Sequence, residues 1–502
     1  MALIRFIGLI ALLWCLFFLC AIVRLGFWIR VIRLRNSYIS RVPGPRLAAW
    51  SRLWIARALM SGRSHEIWVE ANAKFGSVAR IGPNHVITDD PDIIRRILAV
   101  RSEYVRGPWF DSVRIDPYIP NIVSERSVEK HSKIRAKLAP SFTGRSVAAM
   151  EPIIDTLVLG WIEMLRKHQV FSCDIGQKIQ FLTVDIITRL CLGDELGCVK
   201  HDCDMYHILE TVETGNRLAR IPALAKILFP RPHDSTGVGR LMGIVHEVVE
   251  RRSKEGHRTG DVVSSLLNQG MSKSQIDSEL IIALVAGSDT TSTAVQSTLL
   301  SIITNPQVYN TLRAEIRRAV SSGGQISNPI QDTEAKQLVY LQACVLEGLR
   351  MFPPLSQLRE RVVPPGGDTL GDFYLPGGTF VGLNAWGVQR SKAVYGDNAE
   401  LYSPERWLVD DPDRLHVMYQ THSLIFGHGS TKCLGVSMAM MEISKVIFEL
   451  VRNFDITIAN PHKPWVSQCY GIFFQKDFYV RLRAVDHTQP PAYEDSIKSE
   501  PK

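Results

Sequence analysis

Read as apolar and polar positions, the chain opens with FIGLIALLWCLFFLCAIV, 18 residues from Phe6 to Val23 without a charge. As a helix this run reaches about 27 Å, close to the ~30 Å hydrocarbon core of a bilayer. A cleaved signal peptide has a shorter apolar core that ends in small residues. Here the run passes instead into FWIRVIRLR, aromatic and arginine-rich, so an uncleaved transmembrane anchor is expected within residues 1–41. VPGPR follows, from Val42 to Arg46. Its two prolines fix φ and remove two amide donors, so no helix passes through and the anchor is expected to be decoupled from the body.

Beyond residue 46 the periodicity changes repeatedly. SVARIGPNHVIT (Ser77 to Thr88) predicts two short strands around a Gly-Pro-Asn turn. DPDIIRRILAV predicts a helix with Asp90 as N-cap and Pro91 in its first position. Helical spacing then dominates to about Met351, and FLTVDIITRLCLG (Phe181 to Gly193) is too apolar for a surface helix. Between Thr369 and Leu383 short β-type runs alternate with glycine turns, and long helices are expected to return after Cys433. The pattern predicts a mainly α fold with a small β region (α+β). It forms a single domain over residues 47–484, followed by a disordered polar tail over 485–502.

Charge and cysteine usage narrow the function. The formal charge is +8, but residues 1–46 hold seven arginines and no acidic residue, so the body is close to neutral. Basic charge gathered beside an apolar run points to a membrane surface and away from nucleic acid. Five of those arginines lie between Arg24 and Arg41, which predicts a cytosolic body. The nine cysteines include no CxxC pair, which excludes the usual zinc site and suits reduced thiols.

Three stretches break the ordinary pattern of a soluble helical protein. LIIALVAGSDTTSTAVQSTLL (Leu280 to Leu300) is apolar enough to be buried, yet its centre, Ala286 to Thr291, is small and polar. That centre predicts either a kinked core helix or a groove where a small ligand meets the backbone, with Asp289 and Thr290 to move protons. Glu347 and Arg350 are three apart on one helix face, and Arg406 stands beside Trp407 in YSPERW. Together they would make one buried Glu–Arg–Arg network. In FGHGSTKCLG (Phe426 to Gly435), Cys433 sits among three glycines, far more turn than an ordinary buried thiol needs.

These stretches resemble the cytochrome P-450 monooxygenases, microsomal type, and are most similar to filamentous-fungal members near the pisatin demethylase group. Phe426, Gly427, Gly429, Cys433 and Gly435 match the family's haem loop, and Glu347 and Arg350 its ExxR helix. Pro404 to Trp407 match its PERW turn, and Ala286 to Thr291 its oxygen-activation helix. The resemblance implies heme b ligated by the thiolate of Cys433, with Phe426, Gly427 and Gly435 around it. It assigns Thr290 to hydrogen-bonding dioxygen and Asp289 to relaying protons, and gives Glu347, Arg350 and Arg406 a structural role. His131, Arg135 and Arg361 match contacts to the haem propionates. The position two before the cysteine, usually Arg or His, is Thr431, followed by Lys432, and neither is assigned.

The same resemblance implies a lipophilic substrate, dioxygen, and electrons from an NADPH-dependent flavoprotein reductase docking near Cys433, His428 and Lys432. It further implies the endoplasmic reticulum membrane, a place in fungal secondary metabolism, and pocket walls near 104–122, 213–235, just before Ala286, around 353–358 and near 472–473. Two other readings compete: a haem-thiolate isomerase or dehydratase that uses no dioxygen, and a non-catalytic haem-binding protein. The acid–Thr pair at Asp289 and Thr290 argues against both.

Overall fold

Strands from both ends of the body pair with each other, and this closure positions everything else. The computed structural model describes residue 14, residues 17–26, residue 28 and residues 38–485, apart from 115, 117, 169–171, 212–231, 233, 256–259 and 322–325. Thirteen longer helices are described: α1 Leu53–Met60, α2 Ser64–Phe75, α3 Pro91–Leu98, α4 Val128–Leu138, α5 Gly144–Arg166, α6 Ile175–Leu192, α7 Gly237–Glu255, α8 Val262–Asn268, α9 Lys273–Ile303, α10 Pro306–Ser321, α11 Val339–Met351, α12 Pro412–His422 and α13 Val436–Asn453.

The largest sheet has the order β1-β2-β8-β5-β3, with β1 Val78–Gly82, β2 His85–Thr88, β3 Val105–Arg106, β5 Arg361–Val362 and β8 Phe380–Leu383. Its parallel β2–β8 pair joins segments nearly 300 residues apart in the chain, His85 facing Phe380 and Thr88 facing Leu383. A second sheet, β4-β12-β9, ties β4 (Cys173–Asp174) to β9 (Phe454–Ile458) and β12 (Tyr479–Ala484). Two hairpins, β6–β7 (Asp368–Leu370, Phe373–Leu375) and β10–β11 (Val466–Cys469, Phe473–Lys476), complete the β part. One mostly helical domain with small sheets results.

Local chemistry accounts for most boundaries. The Asp90 carboxylate accepts from the amides of Asp92 and Ile93 with Pro91 at the first turn, so α3 starts where the sequence predicts. The central helix is longer than its apolar signature: α6 begins six residues before Phe181 and buries both faces. Helix α9 runs unbroken through the polar centre. There a Cβ on Gly287 would lie 2.8 Å from Ile187 Cγ1, so glycine lets α9 and α6 touch.

Two expectations need correction. A single long helix, α13, follows Cys433, and the rest of the described chain is strands. The proline hinge is fastened to the body as well: the Arg80 amide donates to Pro43 O at 2.8 Å, and Ile39 and Val42 are buried. Proline stops the helix, but its free carbonyl still pairs with β1. Of the anchor segment, residues 17–26 are helical and exposed, and most of the rest lies outside the described residues. Among the described residues no helix is long and apolar enough to cross a membrane. The tail beyond 485 and most of the wall expected at 213–235 also lie outside them.

Candidate active site

Helix α11 carries the first part of the site. Arg350 donates from Nε and Nη2 to the two Glu347 carboxylate oxygens at 2.8 and 2.7 Å. Arg350 also reaches the carbonyls of Gln389, Ala399 and Leu401. Glu347 accepts further from the Ser403 amide at 3.0 Å, Trp407 Nε1 at 2.9 Å and Arg406 Nε at 3.3 Å. Glu347 and Arg350 are fully buried and Arg406 nearly so. Burial opposes the Glu347 charge, but the Arg350 bonds and the other donors hold its carboxyl below the usual value. This is the single network that the spacing suggests, and its bonds tie α11 to residues 389–407.

From there α12 leads to Phe426 and the cysteine turn. His422 lies 3.0 Å from Leu346 O, so the end of α12 touches α11. The Cys433 amide donates to Phe426 O at 2.8 Å and closes the turn. Gly427 has φ +79, in the left-handed region, and a Cβ there would lie 3.1 Å from Thr431 O. Gly435 differs: its φ is −85 and a Cβ would sit at an ordinary 3.9 Å from Cys433 Sγ. Its amide hydrogen-bonds the sulfur, a service any non-proline residue could give.

Cys433 is exposed, but its surface opens inward onto a cavity of about 360 Å³. Burial pushes the thiol up, while the Gly435 amide, Arg135, Arg359 and Lys432 pull it the other way. Helix α9 contributes Ala286, Gly287, Thr290 and Thr291 to the same cavity. Ala286 is exposed at the middle of a core helix because the cavity lies beside it. The Thr290 hydroxyl donates to Ala286 O at 2.8 Å beside the cavity, so its oxygen remains free to accept. Asp289 does not line the cavity; burial pushes its carboxyl up to about 7, and Oδ2 has no partner among the described residues.

The expected His131, Arg135 and Arg361 all reach the cavity, with Phe426. Two arginines missed in the sequence line it too, Arg106 and Arg359. Arg106 sits directly opposite Arg361 across the β3–β5 pair, and both stack on Phe110 with guanidinium carbons 5.0 Å from the ring centroid. Arg359 has φ +44, rare outside glycine, and its Nε has no partner among the described residues. Arg359 precedes β5 and its positive φ breaks strand alternation, so nearness to Arg361 in the chain was the available signal for it. Arg106 falls within the wall expected at 104–122, but nothing local marked it as a partner for an anion. Arg361 reaches Thr431 Oγ1 at 3.4 Å, so the unassigned threonine holds an arginine in place, and Lys432 lines the cavity.

Like charges opposed in a sheet are destabilising, and among the described residues no carboxylate forms an ion pair with any of these four arginines. Burial pulls Arg106 to about 10 and Arg361 to about 9. His131, whose Nε2 lies 3.0 Å from Arg106, is pulled to about 4 and stays neutral. The two acids that do line the cavity, Glu279 and Glu442, are pushed by burial to about 7 and 8. Such a cluster fits a dianion brought by a ligand, and a thiol aimed at the same space fits a soft metal. The residues therefore fit an iron porphyrin with two propionates and a thiolate beneath the metal.

A mostly helical fold with an inward cysteine and an arginine-lined cavity defines a haem-thiolate protein. The family model described as Cytochrome P450 matches residues 41–477. Cytochrome P450 monooxygenase aba1 of Botryotinia fuckeliana is 34% identical over 475 residues, covering 90% of this chain and 93% of its own. Cytochrome P450 monooxygenase ABA1 of Pyricularia oryzae is 32% identical, covering 90% and 95%. Pisatin demethylase of Fusarium vanettenii is 27% identical, covering 89% and 88%, so the fungal resemblance extends beyond the group named from the motifs. The chain belongs to the cytochrome P450 family. It is a monooxygenase whose cofactor is thiolate-ligated heme b, and it uses a redox partner, a substrate and dioxygen.

Proposed function

We propose that this chain hydroxylates a lipophilic small molecule, with further oxidation, desaturation or dealkylation open to the same site. The observation that carries the reading is the cavity itself: a thiol and a threonine hydroxyl open onto one space whose α9 side is otherwise mainly apolar. Haem bound there supplies dioxygen activation, favoured by the Cys433 thiolate. The chain's own residues do the rest. Arg106, Arg135, Arg359 and Arg361 hold the propionates, with His131 as a neutral hydrogen-bond partner. Phe426 and the turn fixed by Gly427 shield the sulfur. Thr290, its own proton held on Ala286 O, offers its hydroxyl oxygen to the oxygen site as an acceptor, and Asp289, whose carboxyl burial pushes up to about 7, relays protons from solvent. Glu347, Arg350 and Arg406 position the turn and take no part in bond breaking.

The apolar run before residue 24 supports an anchor over 1–41 in the endoplasmic reticulum membrane, with residues 47–484 in the cytosol and electrons from an NADPH-dependent flavoprotein reductase. The fungal monooxygenases it resembles support a place in fungal secondary metabolism, acting on a terpenoid, polyketide or alkaloid. Expression beside such a reductase, with isotopically labelled dioxygen and lipophilic extracts, tests this by mass spectrometry. A product heavier by one labelled oxygen is expected. Turnover that carries no label, or needs no NADPH, would overturn it.

A further inference from the structure

The wall of the cavity that α9 builds is apolar except at two levels. Thr290 and Thr291 mark one. At the other, Glu279 lies in line with Ala286 and Thr290 on one helix face, at steps of seven and eleven residues. Its neighbours there are Ile122, Val123, Ile282 and Ala283. Glu279 is 1% exposed and has no cation within ion-pair distance among the described residues. A buried acid without a counter-charge costs several kcal/mol, so its presence calls for a reason.

One structural reason is visible. Glu279 Oε2 accepts from the Ile122 amide at 2.9 Å and Oε1 from Gln275 Nε2 at 2.7 Å. This pins α9 to residues 119–122, together with Gln275 to Pro120 O and Ser278 to Ile119 O. A carboxylate offers about four lone-pair sites and the protein fills two. A neutral glutamine would serve the Ile122 amide but would turn its own NH2 toward Gln275 Nε2. Glu279 borders the cavity.

We propose that Glu279 is the polar anchor of the substrate site, accepting a hydrogen bond from a hydroxyl about 10 Å along α9 from the level of Ala286. The substrate class is then a lipophilic alcohol whose oxidised carbon lies at that distance from its hydroxyl. This rests on the reading that a lipophile occupies the cavity. Burial holds Glu279 near pH 7, so the acceptor keeps a large share of its charge under physiological conditions.

The test uses haem-loaded full-length protein and a matched pair of probes, 1-decanol and its methyl ether, which differ in a single donor. Binding is read by the optical spin-state shift and by calorimetry. The alcohol should bind about tenfold more tightly than the ether. Glu279→Gln, which keeps an acceptor for Ile122, should shrink that ratio severalfold without changing ether affinity, and Glu279→Leu should erase or invert it. The reduced carbon monoxide spectrum checks that each variant is intact. Equal binding of both probes to the parent protein, or a ratio unchanged in Glu279→Gln, overturns the role of Glu279 and leaves the monooxygenase reading standing. If neither probe binds the parent protein, the lipophilic-substrate reading falls with it.

Discussion

Two clusters of buried charge sit within the same domain and follow opposite rules. In the first, Glu347 is surrounded by Arg350, Arg406, Trp407 and the Ser403 amide, and the arginines find backbone carbonyls for their remaining donors. In the second, Arg106, Arg135, Arg359 and Arg361 gather around one cavity with no ion-paired carboxylate among the described residues. The first cluster is complete within the chain, so its work is to hold shape. The second is incomplete, and the missing charge belongs to a ligand. Internal satisfaction thus separates a structural ionic network from a binding site, although both are buried arginines.

Breaking the complete cluster should have the largest effect. Glu347→Ala leaves Arg350 and Arg406 buried without their carboxylate, and a loss of about 3–5 kcal/mol is expected in denaturant unfolding, or no soluble protein at all. Next, Cys433→Ser should abolish the red-shifted band of the reduced carbon monoxide complex. Retention of that band would assign the metal to another ligand.

Arg361→Leu probes the incomplete cluster and should change sign with the cofactor. Without haem it removes an uncompensated buried charge, so stability should hold or rise by about 1 kcal/mol. With haem, transfer of the cofactor to a scavenger globin should quicken about tenfold. Equal destabilisation of both forms would merge the two clusters into one kind.

The smallest effect expected is in pH dependence. His131 is held below its ordinary value of 6.5, at about 4, so the unfolded chain binds a proton that the fold refuses. Haem-free stability should therefore rise with pH between about 4 and 6.5, and His131→Gln should flatten that slope by roughly 1–3 kcal/mol. Glu347, also depressed, contributes stability present above 4.5 and lost as pH falls through its lower folded value. The two clusters should thus separate by pH window in unfolding titrations.

The legible parts of this protein were those whose chemistry is local. A cysteine in a glycine turn, a Glu and an Arg one helical turn apart, and Asp90 before Pro91 each carry their reason within a few residues. The strands after α13 were less legible, because short buried runs share their composition with helix segments. The charge role of Arg106 was hidden for a stronger reason: it joins the arginine cluster only by facing Arg361 from a strand more than 250 residues away.

Glu279 shows the same limit. Seven residues before Ala286 it reads as an ordinary charged position, and only burial beside Ile122 makes it costly. The sequence alone determined the thiolate turn, the Glu–Arg–Arg network and the family, because backbone conformation and helical spacing are set by near neighbours. Tertiary structure alone decided which charges remain unpaired around the cavity, because pairing depends on which distant segments the fold brings within reach.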